Sequence, residues 1–512
     1  MTAVATTPRL RNPFERLYEA LIDPARAEGT MAVLLAAYAA IWTVYGTIAK
    51  GSQDLHFDIG EMFAWSHEVT LSAPTHPPLG AWLVRAWFSV MPAADWAFYL
   101  LAMVVATAGL WIAWRLSARY LTAEKRVLGL ALLTFLPFYN FHALKYNASS
   151  VLTPFWAVTT WWFLLSFETL SAGWAILAGI GAAAAMLGKY WSLFLLGGLA
   201  VAAVTDPRRA AYFRSWAPWL TIVVGAVALA PHLVFVAAHG FTTFKFAVTA
   251  HLTTLASAAG DSLYFLASVL GYIAAPLIFA ALATRPSSAA IKDTLWPKSP
   301  PRRIVVVAFA APLLLAALAG IIARAQLDPL WTMSAMTLLP VALLSSPLVT
   351  VNRAAAIALL TLAVVLPLIM VLASPVIALV IHRQGVSNYS SQYRLVAEAV
   401  ERAWRAQTDR PLRIFGSYRN IVDGANFYIA SRPATFAITD PQRTPWVDAD
   451  RIERDGIAIV CPVPETACVA EMNAYAARYG AKVEDVILAR RYFGTDDTPV
   501  HYQIVIIPPR TR

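Results

Sequence analysis

Charged residues are scarce in this chain: they make up 14% of 512 residues, against about 25% in soluble globular domains. That deficit excludes an ordinary water-soluble enzyme. With 59% hydrophobic residues and a positive mean hydropathy, it indicates a chain that lives in a bilayer. Cysteine is nearly missing too. Cys461 and Cys468 are the only two, and their spacing lacks the paired CxxC pattern of a zinc site. In an oxidising compartment they are expected to form a local disulfide, and elsewhere to be two ordinary buried thiols. No short apolar core precedes a cleavage site, so no signal peptide is expected. "RLRNPFERLYEALIDPARAEG" is charged and amphipathic, and residues 1–28 read as a cytosolic helix on the membrane surface. The net charge of +10 does not mark a nucleic-acid binder, because the basic residues sit between apolar runs and form no single patch.

Long apolar runs are what the chain has in abundance. A hydrocarbon core of about 30 Å needs roughly 20 apolar residues per helix. On that criterion, spans fall near 30–48, 93–114, 127–143, 150–168, 172–188, 190–204, 217–238, 262–284, 304–323, 329–347 and 354–381. An odd number of spans puts the termini on opposite sides, and Lys and Arg choose the orientation. With the N-terminus inside, the inside segments before residue 383 carry seventeen basic residues, from Arg9 to Arg353. The outside connections carry six: Lys50, Arg85, Lys145, Lys189, Lys245 and Arg324. The sequence therefore predicts a multi-pass protein of the cell inner (cytoplasmic) membrane. Its transmembrane domain covers 29–382 with about eleven helices; the N-terminus is cytosolic and the C-terminal part periplasmic.

From residue 383 to 512 the texture changes. "YSSQYRLVAEAVERAWRAQ" has helical periodicity, while "LRIFG", "GIAIVC" and "YQIVIIP" read as buried strands. A small soluble α/β domain is expected there. It has no GxGxxG, Walker loop or HExxH, so a supporting or acceptor-shaping role follows.

The first outer loop, 49–92, holds the least expected stretch, "DLHFDIGEMFAWSHEVTLSAPTHPPLGAW" from Asp54 to Trp82. Asp58 and Glu61 are three apart and share a helix face. Apolar neighbours (Phe57, Ile59, Phe63, Trp65) are expected to exclude water and raise the basicity of Asp58. Lys145, Lys189 and Arg324 sit at outer ends of spans, where ionisable groups mark a path or a site; snorkelling to head groups is the plainer use. Together these groups describe sugar transfer from a lipid phosphate. The cations hold the phosphate, which is also the leaving group, and a carboxylate accepts the acceptor hydroxyl's proton. The alternative, a secondary transporter, would need charged or broken helices at the midplane and internal repeats. Here the polar groups cluster at one face.

In order along the chain, "FDIGEMFAWS" (57–66), "THPPLGAWL" (75–83), "LKYNASSVLTPFWA" (144–157), "LGKYWSLFLL" (187–196) and "PHLVFVAAHGFTTFKFAVTAH" (231–251) carry a family likeness. The set resembles GT-C membrane glycosyltransferases of the protein-mannosyltransferase type, which include lipid A aminoarabinose transferases and rhizobial lipopolysaccharide galacturonosyltransferases. It spans roughly residues 30–350. The resemblance implies a GT-C-like polytopic helical fold and a polyprenyl-phosphate sugar donor. It also implies an envelope glycolipid or polysaccharide acceptor, such as lipopolysaccharide core or lipid A. Asp58 becomes the catalytic carboxylate, with Glu61 as neighbour or alternate. Lys189, Lys145, His76 and Arg324 become donor-phosphate contacts; His56, Tyr146, Asn147 and Tyr190 become substrate contacts. His76, charged only part of the time near pH 7, is a weaker clamp than lysine.

Two departures stand out. The family's "DE" pair is Asp58-Ile59 here, and its second-loop acid is replaced by "KYNASS" (145–150). No cofactor is therefore expected. A divalent metal has weak support, since it would want more carboxylate ligands, and His142, His232, His239 and His251 lack a zinc-ligand spacing.

Overall fold

Length sorts the apolar helices into two kinds. The computed structural model describes residues 12–68, 70–385 and 389–510. Seven of its helices are long and apolar enough to cross a membrane: Ala27–Ala49, Asp95–Ser117, Ala148–Thr169, Ala217–Ala238, Leu255–Thr284, Pro300–Ala323 and Arg353–Gln384. Ala172–Gly188, Ser192–Thr205 and Pro329–Leu344 are apolar but shorter. The run expected at 127–143 is not one continuous helix. Ala123–Thr134 ends, and a 3-10 turn, Pro137–Tyr139, follows. Pro137 explains the break, because proline lacks the N–H donor and disfavours helix in the residue before it.

Burial divides the bundle into centre and rim. Asp95–Ser117 and Ala148–Thr169 are 72% buried over their most apolar stretch, whereas Ala217–Ala238 is 11% and Arg353–Gln384 22% buried. The rim helices turn Ile222, Val227 and Leu372 outward, an apolar surface that lipid accommodates and water does not. Where helices meet closely, small residues allow it: a Cβ on Gly179 would stand 2.6 Å from the Thr221 carbonyl oxygen.

Residues 1–11 of the expected surface helix, with Arg9 and Arg11, lie outside the described residues. The helix Pro13–Ile22 buries Tyr18 and Leu21 against the bundle, and Glu19 meets Arg353 at 3.1 Å.

The C-terminal part is an α/β unit. Its strands are β1 Ile414–Ser417, β2 Ala434–Ala437, β3 Ile457–Pro462, β4 Val483–Leu488, β5 Arg491–Tyr492, β6 Thr495–Asp496 and β7 Val500–Ile507. Five make one sheet in the order β2-β1-β3-β7-β4; β5 and β6 form a separate hairpin. β1 runs parallel to β2 and β3, and β7 is antiparallel to β3 and β4. Alternate residues of the central strands feed two cores. Phe415, Val460 and Ile504 pack on one face, and Ile414, Ile459 and Val505 on the other. Both faces are covered, which is why β1, β3 and β7 read as continuous apolar runs. Cys461 in β3 is disulfide-bonded to Cys468 in the helix Thr466–Tyr479, with Cα atoms 5.7 Å apart.

Candidate active site

The segment after Ala27–Ala49 forms the helix Phe57–His67, and the C-terminal unit presses onto it. The backbones approach at Gly60, where a Cβ would lie 2.1 Å from the carbonyl oxygen of Asp423. Only glycine permits that contact. Asp423 belongs to the helix Arg419–Asn426. His56 caps the loop helix, its Nδ1 accepting from the Asp58 N–H at 3.2 Å.

Asp58 points to a lysine. Its Oδ2 lies 2.8 Å from Lys145 Nζ, and its Oδ1 lies 3.7 Å from His56 Nδ1. Burial pushes the carboxyl up, but Lys145, first among several neighbours that include Arg419, pulls it down, and together they hold it below its ordinary value. The expected rise in basicity is thus reversed, because a cation 87 residues away in sequence occupies the site the local apolar pattern left open. His56 is pushed down to about 4 by burial, so it is neutral at pH 7.

Glu61 faces the other way. Its side chain is 3% exposed, and its Oε1 receives Arg419 at 3.0 Å and Arg443 at 3.1 Å. Burial pushes Glu61 up while the two guanidiniums pull it back; Asp423, buried beside it, is raised well above the usual carboxylate range by burial and by Glu61. Asp54 is gripped in the same manner at the start of the segment. Arg490 reaches its Oδ1 at 2.5 Å, the Arg394 N–H donates to Oδ2 at 2.9 Å, and the Tyr428 hydroxyl accepts from the Leu55 N–H at 2.8 Å. The C-terminal unit thus holds Asp54 and Glu61, with Asp58 between them.

Lys189 stands where the helices Ala172–Gly188 and Ser192–Thr205 are interrupted. Its Nζ donates to Ser149 Oγ at 3.0 Å and lies 4.4 Å from the Trp331 ring centre. It is in no ion pair among the described residues. Burial pushes Lys189 down to about 8, against the pull of Asp328 and Asp58. Ser149 is in the first turn of Ala148–Thr169, whose N-terminus favours anions.

The remaining expected residues divide. His76 is close enough to Lys189 and Asp58 to feel both, and burial pushes it down to about 3. It is neutral at pH 7, so its expected part-time cationic role gives way to hydrogen bonding. Asn147 is occupied as a helix cap, its Oδ1 accepting from the Ser149 and Ser150 N–H groups at 2.9 and 3.0 Å. Tyr146 is fully buried, its hydroxyl donating to the Gly80 carbonyl at 2.9 Å. That bond makes it part of the scaffold and removes it from any substrate surface. Tyr190 meets His232 Nε2 at 2.8 Å, and His232 Nδ1 meets the Leu71 carbonyl at 2.6 Å. A ring nitrogen facing a carbonyl carries the proton, so Nε2 accepts from the tyrosine hydroxyl. Arg324 is exposed, with no described side-chain contact to Lys189, Lys145 or Asp58. Among the described residues, no group of three or more His, Cys, Asp or Glu side chains could hold a metal ion.

Sequence reasoning missed Arg419, Arg443, Arg394 and Arg490. Nothing local signals them, because their partners are hundreds of residues away.

Known proteins match this arrangement at two levels. Residues 75–235 match the family model "Dolichyl-phosphate-mannose-protein mannosyltransferase". The structure is similar to ArnT from Cupriavidus metallidurans bound to undecaprenyl phosphate, with a TM-score of 0.63 and 15% identity, covering 94% of this chain and 98% of that one. ArnT in the apo state gives a TM-score of 0.58 at the same identity and coverage. No curated protein matches. The chain thus shares the overall fold of ArnT, with seven helices among the described residues long and apolar enough to cross a membrane, and its residues 75–235 match a mannosyltransferase family model.

Proposed function

We propose that this protein transfers a sugar from a polyprenyl-phosphate donor to an envelope glycolipid or polysaccharide on the outer face of the cytoplasmic membrane. One observation carries the reading: an ionised Asp58 within electrostatic reach of Lys189, a half-buried ammonium in no ion pair among the described residues. The polyprenyl phosphate seen bound to ArnT supports the same donor class.

The chemistry follows from these groups. The acceptor hydroxyl oxygen attacks the anomeric carbon, and the bond from that carbon to the phosphate oxygen breaks. The phosphate leaves with the electron pair, and Asp58 takes the hydroxyl proton. Lys189 neutralises the charge growing on the phosphate. Lys145 has three N–H donors, so it can keep Asp58 and still reach a phosphate oxygen. Neutral His76 donates or accepts a hydrogen bond beside them. Glu61 has a positioning role. The test is mass spectrometry of envelope lipids and glycans from cells lacking the gene, complemented with wild type or Asp58→Asn. A glycoform absent with Asp58→Asn and restored by wild type is expected; identical profiles in all strains would overturn the reading.

Lys189 gives a pH prediction. It is cationic below about 8 and loses its charge above. The donor KM should therefore rise and kcat fall as pH passes 8. Lys189→Arg, which stays charged, should move that rise out of range. A flat donor KM from pH 7 to 9.5 in the wild type would remove Lys189 from the phosphate site.

The basic asymmetry gives the orientation: N-terminus cytosolic, C-terminal domain (383–512) periplasmic, transmembrane domain over 29–382. An alkaline-phosphatase fusion after Arg512 should be active and a fusion before residue 28 inactive. Thiol labelling of the native protein without reductant should leave Cys461 and Cys468 unmodified. The reverse fusion pattern would overturn the topology.

A further inference from the structure

A cavity of about 250 Å3 lies between the C-terminal unit and the ends of Ala27–Ala49 and Asp95–Ser117, and the transfer chemistry does not use it. Its charged lining is Lys50, Arg394, Arg490, Arg491, Asp54 and Asp95. Both carboxylates are already engaged. Asp54, 1% exposed, receives Arg490, and Asp95 receives Arg394 at 3.2 Å. Lys50 and Arg491 are left over, since neither is in an ion pair among the described residues. Lys50 is half-buried, and burial with the neighbouring Lys145 lowers its ammonium from the ordinary value. A half-buried cation without a counter-ion costs free energy that a bound anion removes.

The level of the cavity narrows the kind of anion. Arg491 and Tyr492 belong to the β5–β6 hairpin. Tyr492 packs on His382 with ring centres 5.6 Å apart, and His382 Nε2 meets the Thr495 carbonyl at 2.9 Å. His382 is in the last turn of Arg353–Gln384. The hairpin therefore lies where three apolar helices end, and its tip residue Phe493 is 73% exposed. Exposed aromatic side chains at that depth favour the bilayer interface. The volume falls below the roughly 300–1,000 Å3 of sites for drug-sized ligands, so a compact head group fits and a whole sugar-lipid does not.

We infer that this cavity binds the phosphoryl group of a lipid in the leaflet on the side of the C-terminal domain, gripped by Lys50 and Arg491. Arg394 and Arg490 stand behind them, fixed by Asp54 and Asp95. The site uses the membrane placement but no step of sugar transfer.

The test reads Lys50 directly. Full-length protein in detergent micelles is treated with an amine-modifying reagent, and the rates at Lys50 and at exposed Lys482 are followed by mass spectrometry. The probes are inorganic phosphate and dihexanoyl phosphatidic acid. Both should slow modification of Lys50 severalfold and leave Lys482 unchanged. In Arg491→Gln, which alters an exposed side chain, the protecting concentration should rise about tenfold, the loss of one charge-assisted contact. Protection by the lipid at much lower concentration than phosphate assigns the site to a membrane head group; equal concentrations assign it to free phosphate. Failure of both probes to protect Lys50, or protection unchanged in Arg491→Gln, overturns the proposal. Labelling needs no turnover, so failure here leaves the transferase reading intact, and an inactive protein can still pass.

Discussion

Asp58→Asn should yield a folded, donor-binding protein whose transfer rate is lower by about 10²–10⁴, the usual contribution of a positioned base. The substitution keeps the size of the side chain and an oxygen for Lys145 at 2.8 Å, so the loss falls on kcat and not on stability. The pH dependence has a definite sign. Lys145 holds the carboxyl below its ordinary value, so Asp58 is ionised above that range and competent throughout neutral pH. Rate carried by Asp58 should fall only as pH drops below the usual carboxylate pKa of about 3.9. Lys145→Met removes the cation that opposes burial, so the acid limb should move upward. Smaller Asp58→Ala leaves room for an external base, and added formate should restore part of its rate. The measurement is a kcat–pH profile for wild type, Lys145→Met and Asp58→Asn. Near-normal kcat in a well-folded Asp58→Asn protein would remove the carboxylate from proton transfer.

How far the sequence revealed this site depended on distance along the chain. The Asp58 segment stood out because carboxylates and histidines at the end of an apolar run are costly and conspicuous. Lys189 stood out as a lone cation in an apolar stretch. Strands β1, β3 and β7 were legible because sheet packing on both faces leaves an unbroken apolar run. β2 escaped notice because Ala-Thr-Phe-Ala (434–437) has a single large apolar residue, and β4 because its Glu484 and Asp485 face solvent. The fate of Tyr146 was hidden for another reason: a tyrosine in a polar-looking motif looks the same whether its hydroxyl meets a sugar or the carbonyl of Gly80. The arginine clamps were beyond local reading altogether. Arg419 and Arg443 find Glu61 from 358 and 382 residues away, and no periodicity encodes a contact closed by the tertiary fold. Hence the C-terminal domain read as a support, although its arginines hold the segment that carries Asp58.

Glu61 should therefore behave as a positioning residue, with a large effect of a different kind. Its buried carboxylate joins two guanidiniums, Arg443 mostly buried and Arg419 36% exposed, between the loop helix and the C-terminal unit. Removing one partner of a fully buried pair costs about 3–5 kcal/mol; water reaches Arg419, so the cost here falls below that range. Glu61→Ala should lower the thermal midpoint and make the C-terminal unit more susceptible to limited proteolysis. Glu61→Gln keeps the shape and one acceptor, so it should fold with a smaller shift. Its kcat should fall about 10²-fold, the cost of misplacing a reacting group by about 1 Å. Three readouts separate this from proton transfer. The acid limb of the profile, set by Asp58, should stay in place in Glu61→Gln. Formate should restore Asp58→Ala but not Glu61→Ala. Arg443→Lys, which keeps a cation beside Glu61, should recover much of what Arg443→Met loses. A stable Glu61→Gln protein that is rescued by formate, beside an active Asp58→Asn, would transfer the base role to Glu61 and leave Asp58 as a first-turn acid of the loop helix.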